Sequence, residues 1–243
     1  MKKIIALVMV VATLCCALVG CSKVDPNVKS EGVMSYAEYD AAALKSEVTI
    51  EGFIQAKQDY AAAYSNTCLY LQDGEGGYYV YRIGCTQEEY DSFKIGSKIK
   101  ITGTKDAWGG EVEVIDVTDF EIVGTDTWTA LPTDVTSIIH KADEVIKHQN
   151  KLVLVKDFTV VSVEFANGAA GDNNDIYLKV SKKDADDNVY TFSLTVEEAL
   201  TDYQSDVYKT VSELKADDVI DLQGFLCWYS DAVDTHITSV TKK

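Results

Sequence analysis

Three tyrosines, Tyr70, Tyr79 and Tyr81, are the side chains best placed by type and spacing to do binding chemistry. They fall in Leu69-Tyr-Leu-Gln-Asp-Gly-Glu-Gly-Gly-Tyr-Tyr-Val-Tyr81, two apolar runs joined by a Gly-rich turn, which predicts a β-hairpin. Strand alternation sends Leu69, Leu71, Tyr78 and Val80 to one face and the three tyrosines to the other. Trp108, in the following hairpin, is expected on that same outer face. Flat rings presented together stack on nucleobases or sugar rings, at about 1–3 kcal/mol per base in single-strand binders. The matching positions further along the chain, Tyr177, Lys179, Thr191 and Trp228, form a thinner platform. A competing reading needs no ligand: tyrosine suits a half-buried strand, and this face could pack on a neighbouring domain.

Basic groups for a phosphate track are sparse. Arg82, Lys94, Lys98, Lys100 and Lys105 gather near the same hairpins, with Lys98 and Lys100 alternating onto one strand face as candidate ligand contacts. Against this patch stand 39 acidic and 22 basic residues and a formal charge of -17, a field that disfavours polyanions. His140, His148 and His236 are scattered without metal-ligand spacing, and no nucleophile or phosphate-loop motif occurs. The chain therefore reads as a non-enzyme with no cofactor and no metal. Asp184-Ala-Asp-Asp-Asn188 starts like a calcium loop, but Val189 stands where that loop needs Gly and Thr195 where it needs an acid, so it reads as a turn.

Positioning these side chains requires two similar domains. The first has a helical stretch (35–44), a strand (47–54), the tyrosine hairpin, a short helix (86–93), and strands near 98–103, 111–115 and 120–123. The second repeats that order: a helical pattern over 136–147, a strand over 151–163, a hairpin (176–180 and 189–194), a longer helix over 197–214, and strands at 219–224 and 235–240. Gly103 matches Gly224, and Trp108 matches Trp228. The only prolines, Pro26 and Pro132, fall before and between the copies. Five strands with a helix between the third and fourth is the order of an OB-type barrel, and a pair of small β-sandwiches is the competing fold.

The tyrosine hairpin and Ile99-Lys-Ile-Thr-Gly-Thr104 resemble strands of the bacterial OB-fold domains found in secreted nucleases and surface lipoproteins. The resemblance covers most of the first copy and is fainter in the second, which lacks the Gln-Asp-Gly turn. It implies a mainly β protein of two tandem OB-like five-stranded barrels, each with a short helix, and leans toward nucleic acid as ligand.

The N-terminus reads separately. Lys2-Lys3, an apolar run from Ile4 to Leu18, and Leu18-Val19-Gly20-Cys21 form an export leader whose end resembles the lipobox of bacterial lipoproteins. That resemblance implies cleavage before Cys21 and acylation of its thiol, which leaves Cys68, Cys85 and Cys227 as unclustered thiols with no disulfide framework. Residues 1–20 are thus a signal peptide, 21–33 a lipidated Cys and tether, 34–124 the first domain, 125–135 a linker and 136–243 the second. The expectation is a lipid-anchored, extracytoplasmic binding module taking an oligosaccharide or single-stranded nucleic acid on the aromatic face of the first domain. The alternative is a structural or assembly protein whose barrel faces meet other envelope proteins. Cys21→Ala is expected to release the chain from membranes in fractionation, and retention through detergent-free washing would count against the anchor.

Overall fold

A computed structural model describes residues 24–230 and 232–243. The leader and Cys21 lie outside the described residues. No helix among the described residues is long and apolar enough to cross a membrane.

The first barrel comprises α1 (Tyr36–Ala41), β1 (Glu47–Lys57), β2 (Asn66–Gln72), β3 (Gly77–Gly84), α2 (Gln87–Ser92), β4 (Ser97–Trp108) and β5 (Glu111–Thr127). Its strands close in the order β1-β2-β3-β5-β4, with α2 between the third and fourth, which is the OB arrangement. Both helices start on capping boxes, Ser35 with Glu38 and Thr86 with Glu89, so these six-residue elements are fixed by local chemistry. Leu69, Leu71, Tyr78 and Val80 do point inward and are fully buried with Ile50, Ile54, Ile99 and Ile101.

The second barrel comprises β6 (Thr133–Asp134), α3 (Ala142–Val145), β7 (Leu152–Phe165), β8 (Ile176–Lys183), β9 (Val189–Val196), α4 (Glu198–Thr201), α5 (Asp206–Ser212), β10 (Val219–Tyr229) and β11 (Ala232–Lys242). Pairing of β10 with β7 closes β7-β8-β9-β11-β10, the same circular order as the first. In each copy the closure uses a short parallel contact: Tyr79 beside Glu113, and Thr195 beside His236. Gly103 and Gly224 both sit at register shifts where a strand bends. A Cβ at Gly224 would meet the His236 carbonyl oxygen at 2.4 Å.

Two helical expectations change. Residues 136–147 form turns, the four-residue α3 and a 3-10 turn, because the β-branched Thr136, Ile138 and Ile139 are poor helix formers. The stripe still packs, through Ile139 and Val145. The 197–214 stretch breaks into α4 and α5 at Asp202, whose φ of 63° is left-handed, and Ser205 caps the second piece.

The 21–33 stretch also differs from a free tether wherever it is described. Lys29 Nζ reaches the buried Asp73 carboxylate at 2.6 Å and the Glu51 carbonyl at 2.5 Å, while Ser30 N–H and Oγ–H donate to the buried Glu51 carboxylate. These bonds to two buried carboxylates hold the segment to the barrel wall.

The barrels meet directly. Gln72 Oε1 accepts from Leu152 N–H at 2.9 Å, and Asn150 Nδ2 donates to the Val112 carbonyl at 2.8 Å. Gly77, which begins β3, lets the Asn150–Lys151 backbone approach: an added Cβ would lie 2.2 Å from the Asn150 carbonyl oxygen. At the other end of the same strand, an added Cβ at Gly84 would touch nothing. Gly77→Ala is therefore expected to cost about 1–3 kcal/mol in urea denaturation, with Gly84→Ala close to neutral. Equal effects would mean that the backbone approach does not constrain the barrel pair.

Candidate functional site

The outward tyrosines do not form an open platform. Tyr70 is 2% exposed and Tyr79 8%. Both pack with Cys68 and Phe225 in a small cluster where the first barrel meets β10. The Tyr70 ring stacks on Phe225 with centroids 4.5 Å apart. Its hydroxyl donates to Glu197 Oε2 at 3.0 Å and lies 2.6 Å from His236 Nδ1. The face was correctly assigned to the outside of the barrel, but the second barrel covers it, so Tyr70 cannot stack on a ligand.

What remains accessible is a cleft of about 1150 Å³ beside this contact. Tyr79, Tyr81 and Trp108 line it from the first barrel, and Tyr177, Tyr190, Trp228 and Tyr229 from the second. The aromatic residues of the two copies thus share one composite site. Trp108 and Tyr229 form its rim, 63% and 57% exposed with ring centroids 5.5 Å apart. Trp108 closes the β4–β5 hairpin opposite Glu111, and Tyr229 holds the same place opposite Ala232. Trp108 therefore corresponds to Tyr229 and not to Trp228, and that offset of one turns Trp228 inward against the second core.

Lys98 and Lys100 do not line the cleft. Lys98 Nζ bonds the Val28 carbonyl at 2.6 Å and sits 3.7 Å from Glu51, and Lys100 pairs with Glu121 at 3.0 Å. Lys105 is buried and caps the end of α1 through the carbonyls of Tyr39, Asp40 and Ala42. The expected basic patch is largely used in holding the fold. Cys68, Cys85 and Cys227 are free and buried. Asp184 Oδ1 accepts the N–H groups of Asp186 and Asn188, so that acidic turn closes on itself.

The sequence reading missed the acids. Glu111, Glu113, Glu164, Asp175, Glu197 and Asp234 line the cleft, and no lysine or arginine does among the described residues. Glu111 Oε2 accepts the Trp228 N–H at 2.8 Å and Gln149 Nε2 at 3.1 Å, while its buried Oε1 has no partner. Burial pushes the Glu111 carboxyl up to about 8. Glu113, Asp175 and Asp234 are also raised, mainly by burial. Cys227, Asp234 and His236 come together here as well. Asp234 and His236 are two apart in β11, and Cys227 faces Asp234 across the hairpin. Locating that turn in the sequence would have revealed the grouping.

No protein-family model matches the chain, and no match is found among curated proteins. Similarities to solved structures are similarities of fold. The chain is similar to a single-stranded DNA-binding protein from Thermus aquaticus over 83% of its own length and 94% of the other, at 13% identity and a TM-score of 0.29. It is similar to the p204 HINb domain over 82% and 96%, at 10% identity and a TM-score of 0.33. With the asparaginyl-tRNA synthetase of Entamoeba histolytica it shares 18% identity over 45% of this chain, at a TM-score of 0.31, and it spans only 29% of that synthetase. The strand order, not these scores, carries the fold: the protein is mainly β, with two closed five-stranded OB-like barrels.

The folded chain holds the Glu111 proton more tightly than the unfolded chain, so stability falls as pH rises from about 4.5 through about 8. Glu113, Asp175 and Asp234, also raised by burial, act in the same direction. Glu111→Gln is expected to flatten the upper part of this decline in denaturant midpoints measured from about pH 5 to about pH 9. An unchanged slope would show that Glu111 is ionised throughout.

Proposed function

We propose that this chain is a non-catalytic binding module of the bacterial cell envelope, held to the membrane by lipid on Cys21, and that its interbarrel cleft takes a neutral oligosaccharide. The observation that carries the ligand class is the lining of the cleft: eight Tyr, Trp and Phe rings and six acidic residues, without a lysine or arginine among the described residues. OB-type barrels bind oligonucleotides and oligosaccharides on this side of the fold. Of the two, only the sugar suits a wall of carboxyl groups. Phosphodiesters would meet like charge, and their binding draws chiefly on basic side chains. Sugar rings can lie on the rim aromatics while hydroxyls donate to carboxylates, and a protonated Glu111 supplies a donor in return.

The leader supports the anchor, since two or three acyl chains hold a protein durably where one does not. An assembly role through external tyrosine contacts has less support, because Tyr70 and Tyr79 are engaged by the chain's own second barrel.

Tryptophan fluorescence of residues 22–243, which carry both barrels, tests the ligand class. Neutral oligosaccharides of several linkages are expected to give a saturable change that Tyr177→Ala weakens by about tenfold, the loss of one stacking contact. A single-stranded oligonucleotide should leave the signal flat at low salt. Salt-sensitive quenching by the oligonucleotide, with no response to any sugar, would overturn this reading.

A further inference from the structure

Three chemically different donors converge on the cleft side of the β10–β11 hairpin. One ligand atom each from Cys227, Asp234 and His236, a thiol sulfur, a carboxylate oxygen and a ring nitrogen, lie within 4.8 Å of one another. Small side-chain rotations would bring them to the ~2.0–2.3 Å distances of a four-coordinate metal. We propose that these three residues form a binding site for a divalent cation of the zinc class, with the remaining coordination position facing the cleft.

Four observations support this assignment. The first is rigidity: β10 and β11 pair along their length, with Cys227 opposite Asp234 and Phe225 opposite His236, so the donors project from one fixed hairpin face. The second is the setting of the histidine. The Tyr70 hydroxyl lies 2.6 Å from His236 Nδ1 and 3.0 Å from Glu197 Oε2, so the ring is held at its Nδ1 edge. Glu197 Oε2 also lies 3.4 Å from Nδ1. Nε2 is then the nitrogen left to ligate, in the arrangement where an outer hydroxyl and carboxylate orient a metal-binding imidazole. The third is charge. Cys227 shares the cleft with Asp234, Glu197 and four other acidic residues, and no lysine or arginine among the described residues lines it. The fourth is independent of the three ligands: Glu111, 6% exposed and lining the same cleft, has a buried carboxyl oxygen without a partner.

The donor set selects the class of metal. Calcium and magnesium take oxygen ligands, whereas mixed sulfur, nitrogen and oxygen donors suit zinc and its neighbours. A bound dication supports the thiolate, and the thiol proton passes to solvent as the metal enters. The site does not require the cleft to bind sugar, and the metal alone tests it.

Residues 22–243 without an affinity tag, freed of metal with a chelator, would be titrated with Co²⁺ and then Zn²⁺. One equivalent of Co²⁺ is expected to produce a sulfur-to-cobalt charge-transfer band that Zn²⁺ abolishes. Cys227→Ser should remove the band and Cys85→Ser should retain it, while Asp234→Asn weakens binding by at least about tenfold. Zn²⁺ should also raise the melting temperature of the unaltered chain. Failure of the folded, unaltered chain to give a thiolate band would overturn the proposal, whether or not Co²⁺ bound to surface carboxylates. Persistence of the band in Cys227→Ser would overturn it equally. If that variant fails to fold, the spectrum of the unaltered chain decides.

Discussion

Tyr70 joins one barrel to the other, and the shape of the molecule follows from that contact. Its ring stacks on Phe225 and its hydroxyl is held between Glu197 and His236. A phenol buried this completely needs a polar partner, since an unsatisfied hydroxyl costs about 1–3 kcal/mol. Both partners come from the second barrel. Burial of the ring and satisfaction of the oxygen therefore require the same docking, and bonds from Gln72, Asn150 and Glu111 fix its orientation. The cleft is the space left beside this seam.

Much of the architecture is legible in the residues themselves. Alternation assigned Leu69, Leu71, Tyr78 and Val80 to the core, and the repeated element order led to two OB-like barrels. These features depend on neighbours a few residues apart. What covers the tyrosine face was not legible, because Phe225 and His236 lie over 150 residues away and no local pattern announces that they meet Tyr70. The Trp108–Trp228 correspondence failed for a subtler reason. Both follow a bend glycine, but hairpin pairing puts Tyr229 at the equivalent place, and a strand reverses face with every residue. The acids of the cleft were hidden by abundance, since a chain with 39 of them marks none individually.

The basic residues show how misleading a linear patch can be. Lys98, Lys100 and Lys105 look like a phosphate track when read along one strand. In the fold, one steadies the N-terminal segment, one pairs with Glu121, and one closes the end of α1. Internal use of cations in a strongly acidic protein leaves its concave surface more negative than composition alone would suggest. Electrostatics and aromatic content then point toward the same kinds of ligand: uncharged rings, or positive charge.

The segment carrying Lys29 has a mechanical consequence. Asn27 already lies against the Asp73–Gly74 turn, where an added Cβ on Gly74 would meet its side chain at 2.6 Å. Asn27 stands six positions after Cys21, and a fully extended chain spans no more than about 21 Å over those six steps. If Cys21 is embedded in a bilayer, the barrels hang on a leash of no more than about 21 Å. Such a protein surveys only the layer next to the lipid, and any molecule entering its cleft must first come down to the membrane surface.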